Sequence, residues 1–355
     1  MSGIKISAPG KLHLLGEHAV VYNKPAILAA VDKRCFIEIT PRKDNKIKIT
    51  SKNYKSLILC RIGEVKDKFE KAQKDWETYN KSNDTLLLKS ITKGFLDYSQ
   101  IIIGQFLNFY KLKSIRGFDL SIDSQVPIGC GMGSSGALAV SIIGALSLFA
   151  GKKFDKKIIN EIAFLCEQKK HGNPSGGDNS TSCFGGLVWF KKDEGLRPLD
   201  ADLPKEVVRN FYIINTGTPS ETTGEMVSLV RNQILKSKNQ KERIEKIFNE
   251  QELLVRSLIP ALEQSSHEDI IRIIRDGEKN LEKLGVVSSF VQKIIRDVEK
   301  SGGAAKICGG GGRKKRTGIV LVYHLDKTAF LRFTKSLKLP TFKVTLGGEG
   351  VRRDL

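Results

Sequence analysis

Pro127-Ile-Gly-Cys-Gly-Met-Gly-Ser-Ser-Gly-Ala137 leads directly into an apolar run that ends at Ala150. A glycine-rich turn feeding a helix start points several backbone N–H groups in one direction. The helix dipole adds partial positive charge there, so the turn is a candidate phosphate cradle. Glycines keep side chains from holding the backbone off a phosphate and tolerate the left-handed conformations such loops use. The same composition also suits a small-residue turn that lets a core helix pack closely, and the stretch alone leaves both readings open.

Two better-known loops are excluded. Gly131, Gly133 and Gly136 spell G-x-G-x-x-G, but the dinucleotide fingerprint needs a strand running straight into its first glycine and a second strand ending in an acid. Pro127 interrupts the approach, and Asp155, near the expected distance, precedes another helical pattern. No Gly-Lys-Ser/Thr follows the glycines, so this is not a Walker A loop. What remains is a loop with Ser134 and Ser135 at the helix start, where a hydroxyl can bond a phosphate or a Mg²⁺ ion.

Composition bounds the rest. The 355 residues suffice for two domains, and 40% hydrophobic with 28% charged residues is ordinary globular usage. The run Gly136 to Ala150 is too short to span a bilayer. Met1-Ser-Gly-Ile-Lys lacks the apolar core of a secretory leader, and the six cysteines form no C-x-x-C pair. Reduced, buried thiols in a cytoplasmic protein are expected. The formal charge of +20 is spread along the chain, apart from Lys169-Lys170 and Arg313-Lys-Lys-Arg316. That reads as a lysine-rich surface favouring anionic substrates, with no nucleic acid partner expected.

Strands are expected at Ile4 to Ala8, Ala26 to Ile39, Lys46 to Thr50, around Phe118-Leu120-Ile122 and at Cys183 to Phe190. Lys52 to Ser82 is polar and charged and reads as a loop or short helix. Asp84 to Tyr110 reads as a helix with Asp84 as N-cap, and Asp155 caps another. Lys191 to Lys205, with Gly195, Pro198 and Pro204, is the best boundary. It divides the chain into 1–194 and 195–355. After it, a strand at Val207 to Asn215, helices to about Lys300 and a strand–loop–strand–helix–strand tail make the second part α+β.

Three further constellations carry polar chemistry. In Ala8-Pro-Gly-Lys-Leu-His-Leu-Leu-Gly-Glu-His-Ala19, Lys11 follows Pro-Gly with little backbone freedom, and Glu17 and His18 can face a cleft. Taken alone, the segment reads more readily as a surface strand with a snorkelling Lys11 and a hydrogen-bonded His18. In Glu167-Gln-Lys-Lys-His-Gly-Asn-Pro-Ser-Gly-Gly-Asp-Asn179, Glu167 sits near a helix end and Asp178 in a Pro/Gly turn. Two carboxylates beside a phosphate loop can divide the labour, one on Mg²⁺ and one on the proton of an attacking hydroxyl, or be a solvated acid and an Asx turn. Gly309 to Gly312, followed by Arg313-Lys-Lys-Arg316, reads as a close backbone approach or as a loose hairpin with a basic tip.

The order and spacing of these motifs resemble the GHMP small-molecule kinases over essentially the whole chain. Within that family Glu-His-Ala-Val-Val-Tyr22 and His-Gly-Asn-Pro-Ser-Gly-Gly-Asp-Asn179 are most similar to the mevalonate kinases. Ala19, Val20 and Val21 offer no acid of the kind that galactokinases carry after Glu-His. The resemblance implies an α+β fold pairing an S5-like N-terminal domain with a ferredoxin-like C-terminal one, ATP and Mg²⁺ as cofactors, mevalonate as substrate, no membrane partner and a homodimer. It implies Asp178 and Lys11 as catalytic residues, both also touching substrate. Pro127, Gly129, Gly131, Gly133, Ser134, Ser135 and Gly136 would hold ATP, with Ser135 and Glu167 on Mg²⁺. Glu17, His18 and Thr222, the last in Asn215-Thr-Gly-Thr-Pro-Ser-Glu-Thr-Thr223, would lie on the substrate side. Phosphomevalonate or another alcohol is the alternative substrate, and a non-catalytic sensor the alternative role. One departure stands out: the third glycine run is short, and Arg313-Lys-Lys-Arg316 follows it at once.

Overall fold

The computed structural model describes residues 3–354 apart from 83, 95 and 202. Two long antiparallel strands open it, β1 (Ile4–Leu15) and β2 (Ala26–Pro41), joined through a 3₁₀ turn at Ala19–Tyr22. The hairpin β3 (Lys46–Ser51) and β4 (Ser56–Arg61) leads into helices α1 (Ile62–Ser82), α2 (Thr85–Ile91) and α3 (Asp97–Phe109), then β5 (Phe118–Ser124). Next come α4 (Ser134–Phe149), α5 (Lys156–His171), α6 (Gly177–Phe184) and the hairpin β6 (Leu187–Lys191) and β7 (Gly195–Leu199). The remainder runs α7 (Lys205–Val208), β8 (Phe211–Asn215), α8 (Thr223–Lys236), α9 (Lys238–Glu263), α10 (His267–Lys283), α11 (Ser289–Lys300) and β9 (Ala304–Ile307). It closes with β10 (Ile319–Tyr323), α12 (Lys327–Leu337), β11 (Thr341–Val344) and β12 (Arg352–Asp354).

The larger sheet has the order β12-β1-β2-β5-β3-β4, with β6 and β7 attached through β2. Its register shifts between Pro9 and Lys11, an irregularity of the kind that re-aims a side chain. Helix α4 packs on β1, β2, α3, α5 and α6, which explains why it is apolar on every face. Ile142, Ile143 and Leu146 are fully buried there, each contributing about 1.5–3 kcal/mol of transfer free energy. The smaller sheet is antiparallel, in the order β11-β8-β10-β9. Taken in chain order, its fourth strand lies beside its first, then its third and second, the arrangement of a ferredoxin-like unit.

Several expectations need correction. Lys52 to Ser82 is neither loop nor short helix: it holds β4 and the 21-residue α1. Val65, Phe69 and Ala72 form the buried stripe of α1 at helical spacing, which the surrounding lysines obscure in the sequence. Cys183 belongs to α6, and the strand starts only at Leu187. Asp178 therefore sits in a helix's first turn and not in an open turn. Asp84 and Asp155 do cap their helices, accepting from Leu86 N and from Lys157 N, both at 2.9 Å. The stretch after Asp84 is two helices, because Asp97 Oδ2 accepts from Gly94 N at 2.8 Å and starts a new one. The boundary at 194/195 falls inside a hairpin, since β7 pairs with β6, and β12 returns to the larger sheet beside β1. All six cysteines are free and buried. No described helix is long and apolar enough to cross a membrane.

Candidate active site

The three glycine-bearing motifs are joined by hydrogen bonds. Lys11 donates its backbone N–H to Met132 O at 2.9 Å, tying the glycine loop to β1, and Ile319 N reaches Cys130 O at 3.1 Å, tying the loop to β10. His18 Nε2 lies 3.0 Å from Gly310 O, joining the first motif to the third.

The loop residues Pro127, Gly129 and Gly131 lead to Gly133, which closes the loop in the left-handed conformation at φ 65°. A Cβ on Gly133 would stand 2.8 Å from Lys11 Cγ, so the lysine stem occupies the space a side chain would need. Ser134 and Ser135 begin α4. A Cβ on Gly136 would come within 2.9 Å of the Asp178 carbonyl carbon. The first turns of α4 and α6 can therefore touch, and that contact brings Asp178 to the loop.

Lys11 Nζ lies 3.0 Å from Asp178 Oδ1, with the lysine side chain 5% exposed and the aspartate 35%. The carboxylate is thus held by a buried cation while still open to an incoming molecule. On the neighbouring wall Ser135 Oγ donates to Glu167 Oε2 at 3.0 Å and lies 3.1 Å from His171 Nε2. Tyr98 OH donates to the other oxygen, Glu167 Oε1, at 2.5 Å. Burial, then the Glu167 charge, pushes the Tyr98 hydroxyl well above its ordinary range, so it remains a donor. A hydroxyl and a carboxylate oxygen side by side at a phosphate-type loop are hard donors of the kind Mg²⁺ takes, the rest of its shell coming from phosphate and water. Among the described residues no three His, Cys, Asp or Glu converge, so a protein-only cage is not what these residues build.

Glu17 departs from the cleft-facing position expected of it. Its carboxylate pairs with Lys306 on β9, with side chains 1% and 0% exposed. Lys306 Nζ also donates to Ile307 O at 2.6 Å. Burial pulls the Lys306 ammonium down, but Glu17, Cys308 and Glu278 together outweigh it and hold it above the ordinary lysine value. Glu17 Oε2 and His13 Nδ1 lack hydrogen-bond partners. Burial, with the Lys11, Lys306 and His18 charges, holds the His13 ring well below its ordinary value. Thr222 caps α8, and its neighbour Thr223 lies against Gly310 of the third glycine run. The Thr222 hydroxyl accepts from Glu225 N at 3.2 Å in the capping box of α8, and among the described residues it makes no hydrogen bond to Asp178. The third glycine run is a close approach and not a loose hairpin: Gly312 N donates to Val286 O at 2.9 Å, while Arg313 to Arg316 stay exposed.

Sequence reasoning missed Lys306 and Tyr98. A lysine inside the otherwise apolar strand Ala-Ala-Lys-Ile was the available signal for the first. Nothing in the Asp84 to Tyr110 pattern singles out the second.

Near Lys306, burial pushes the Glu278 carboxyl well above the ordinary glutamate range. Its Oε2 accepts from Ile307 N at 2.9 Å, and its Oε1 has no partner. A carboxyl whose folded pKa is raised contributes stability that is complete below its unfolded pKa and is lost as pH rises through the folded one. Glu278→Gln is therefore expected to flatten the loss of stability above the ordinary glutamate value. Urea midpoints of the two proteins should converge or cross as pH rises, and a pH-independent difference would contradict this.

The sequence comparisons bear on this geometry. Residues 99–186 match the family model described as GHMP kinases N terminal domain. The chain is 29% identical to the mevalonate kinase of Archaeoglobus fulgidus over 308 residues, 86% of this chain and 88% of that one. It is 30% identical to the mevalonate kinase of Pyrococcus furiosus over 292 residues, 81% of this chain and 76% of that one. The chain belongs to the GHMP kinase family. Its fold is the GHMP kinase fold: the Methanococcus jannaschii mevalonate kinase superposes with a TM-score of 0.78 at 23% identity, covering 98% of this chain and 99% of that one. In this GHMP kinase the glycine loop and the start of α4 touch both pairs: Gly133 lies against Lys11 and Asp178, and Ser135 reaches Glu167.

Proposed function

We propose that this chain transfers the γ-phosphoryl group of ATP to the primary hydroxyl of mevalonate, giving 5-phosphomevalonate. The observation that carries this reading is the Lys11–Asp178 pair, 3.0 Å apart, at the end of a glycine loop whose other wall is Ser135 and Glu167. The relatives' name supplies the alcohol.

The residues divide the work. The backbone N–H groups of the loop and the first turn of α4 hold the phosphates, with the helix dipole in support. Mg²⁺, when bound by Ser135 and Glu167, would neutralise phosphate charge. Tyr98 holds one oxygen of Glu167, and the other accepts from the Ser135 hydroxyl. Asp178 accepts the proton of the attacking hydroxyl as its oxygen bonds to the γ-phosphorus and the bond to the bridging oxygen of ADP breaks. Lys11 keeps Asp178 in place and offsets the negative charge that develops on the alcohol oxygen. Positioning and electrostatics therefore carry the catalysis. Glu17 and His18 form the buried support of the alcohol side, with Glu17 Oε2 still unpartnered.

A second reading, transfer to a phosphorylated alcohol such as phosphomevalonate, draws on the exposed Arg313 to Arg316. The Arg316 stem lies against Gly217, on the segment whose Thr218 faces Gly129. The deciding measurement is ADP release with a panel of alcohols. Mevalonate should give the highest kcat/KM. A higher value with phosphomevalonate would transfer the assignment to it. Absent turnover with every alcohol, together with tight salt-sensitive DNA binding, would make the chain a sensor.

A further inference from the structure

Between α1, α3 and α5 lies a cavity of about 520 Å³, within the range that small-molecule sites occupy. Its wall includes Lys169, which is 2% exposed. The Lys169 ammonium meets a single oxygen, Leu165 O of its own helix, at 3.1 Å. Otherwise it faces the rings of Phe69 and Trp76, at 5.7 and 5.2 Å from their centroids. No described carboxylate forms an ion pair with it. An ammonium has three donors to satisfy, and burial disfavours its charge, an effect that the nearby Glu77 carboxylate offsets only in part. Gln105 on α3 lines the same cavity, is 3% exposed, and its amide oxygen has no hydrogen-bond partner.

A cation short of acceptors, an acceptor without a donor and two aromatic rings define their complement. It is a molecule with one carboxylate, an apolar body and a hydroxyl. Glu70 and Glu77 also line the cavity and outnumber Lys74 there, so the site suits one negative charge better than the two of a phosphate monoester. We infer that this cavity is a second binding site, for a small hydroxylated monocarboxylate, distinct from the glycine-loop site. Such an occupant touches the helix that carries Glu167, because Lys169 lies two residues beyond it on α5. Trp76 Nε1 donates to Gly172 O at 3.1 Å, at the end of that helix.

The test is isothermal titration of the full chain with 4-hydroxybenzoate. Benzoate, which lacks the hydroxyl, and 4-hydroxybenzyl alcohol, which lacks the charge, serve as comparisons. Saturable one-site binding is expected, weaker for benzoate and about tenfold or more weaker for the alcohol. It should be lost in Lys169→Met and unaffected by saturating Mg·ADP. Absence of binding up to about 10 mM, or full binding by Lys169→Met, overturns the inference. Displacement by Mg·ADP does so too, since it places the anion on the glycine loop. If Lys169→Met does not fold, Gln105→Leu decides: it should erase the preference for 4-hydroxybenzoate over benzoate, and a preserved preference counts against the site.

Discussion

Asp178→Asn is expected to lower kcat by about 10²–10⁴-fold while leaving ATP affinity nearly unchanged. The substitution keeps the shape of the side chain and removes its charge and its ability to accept a proton. The groups proposed to hold the nucleotide, the loop backbone and the start of α4, are untouched. The asymmetry between kcat and nucleotide binding is therefore the diagnostic part. Asp178 is also the partner of Lys11, whose side chain is only 5% exposed, so some loss of stability accompanies the change. Because Asp178 is itself 35% exposed, water replaces part of the lost interaction. Steady-state turnover by ADP release, nucleotide titration and a melting temperature separate these effects. Near-normal turnover would remove Asp178 from the role of proton acceptor, whatever the other two measurements gave.

The parts of this molecule that read well from sequence are those where local chemistry decides. Asp155 caps α5 because an aspartate before an apolar-periodic run satisfies exposed N–H groups, whatever the tertiary context. The glycine loop was legible because Gly133 and Gly136 sit where backbone and the Lys11 stem approach too closely for a side chain. The α1 stripe was missed because three buried positions, Val65, Phe69 and Ala72, are scattered among lysines and acids. What they pack against, α3, is decided only in three dimensions. The boundary moved for a similar reason. Gly195 and Pro198 are turn-like residues, yet β7 is held by pairing with β6, a non-local interaction that composition cannot register. Glu17 illustrates the same limit at the site. Glu-His after glycine identified a functional segment, but the direction of the carboxylate depends on Lys306, 289 residues away in the chain.

That pairing sets the second large effect. Lys306→Met is expected to destabilise the protein by about 3–5 kcal/mol at neutral pH, the usual cost of removing one partner from a buried ion pair. Methionine fills most of the volume, so a cavity contributes little, and the loss is electrostatic. The Glu17 carboxylate, already carrying one unpartnered oxygen, would lose its one ion-pair partner among the described residues and either remain buried and unpaired or take up a proton. The second change separates this cause from simple misfit. Adding Glu17→Gln to Lys306→Met removes the orphaned charge and should restore much of the stability, because replacing both members of a buried pair is often close to neutral. Denaturant melts of the two single variants and the double variant give the coupling directly. If the double variant is no more stable than Lys306→Met alone, the pair does not hold the first motif to β9, and the neighbouring contact of His18 with Gly310 O must do so. Activity supplies an independent reading. Glu17 is buried against Lys306 and faces no cleft, so turnover is expected to return together with stability. Recovery of turnover along with stability would make Glu17 a scaffold residue alone.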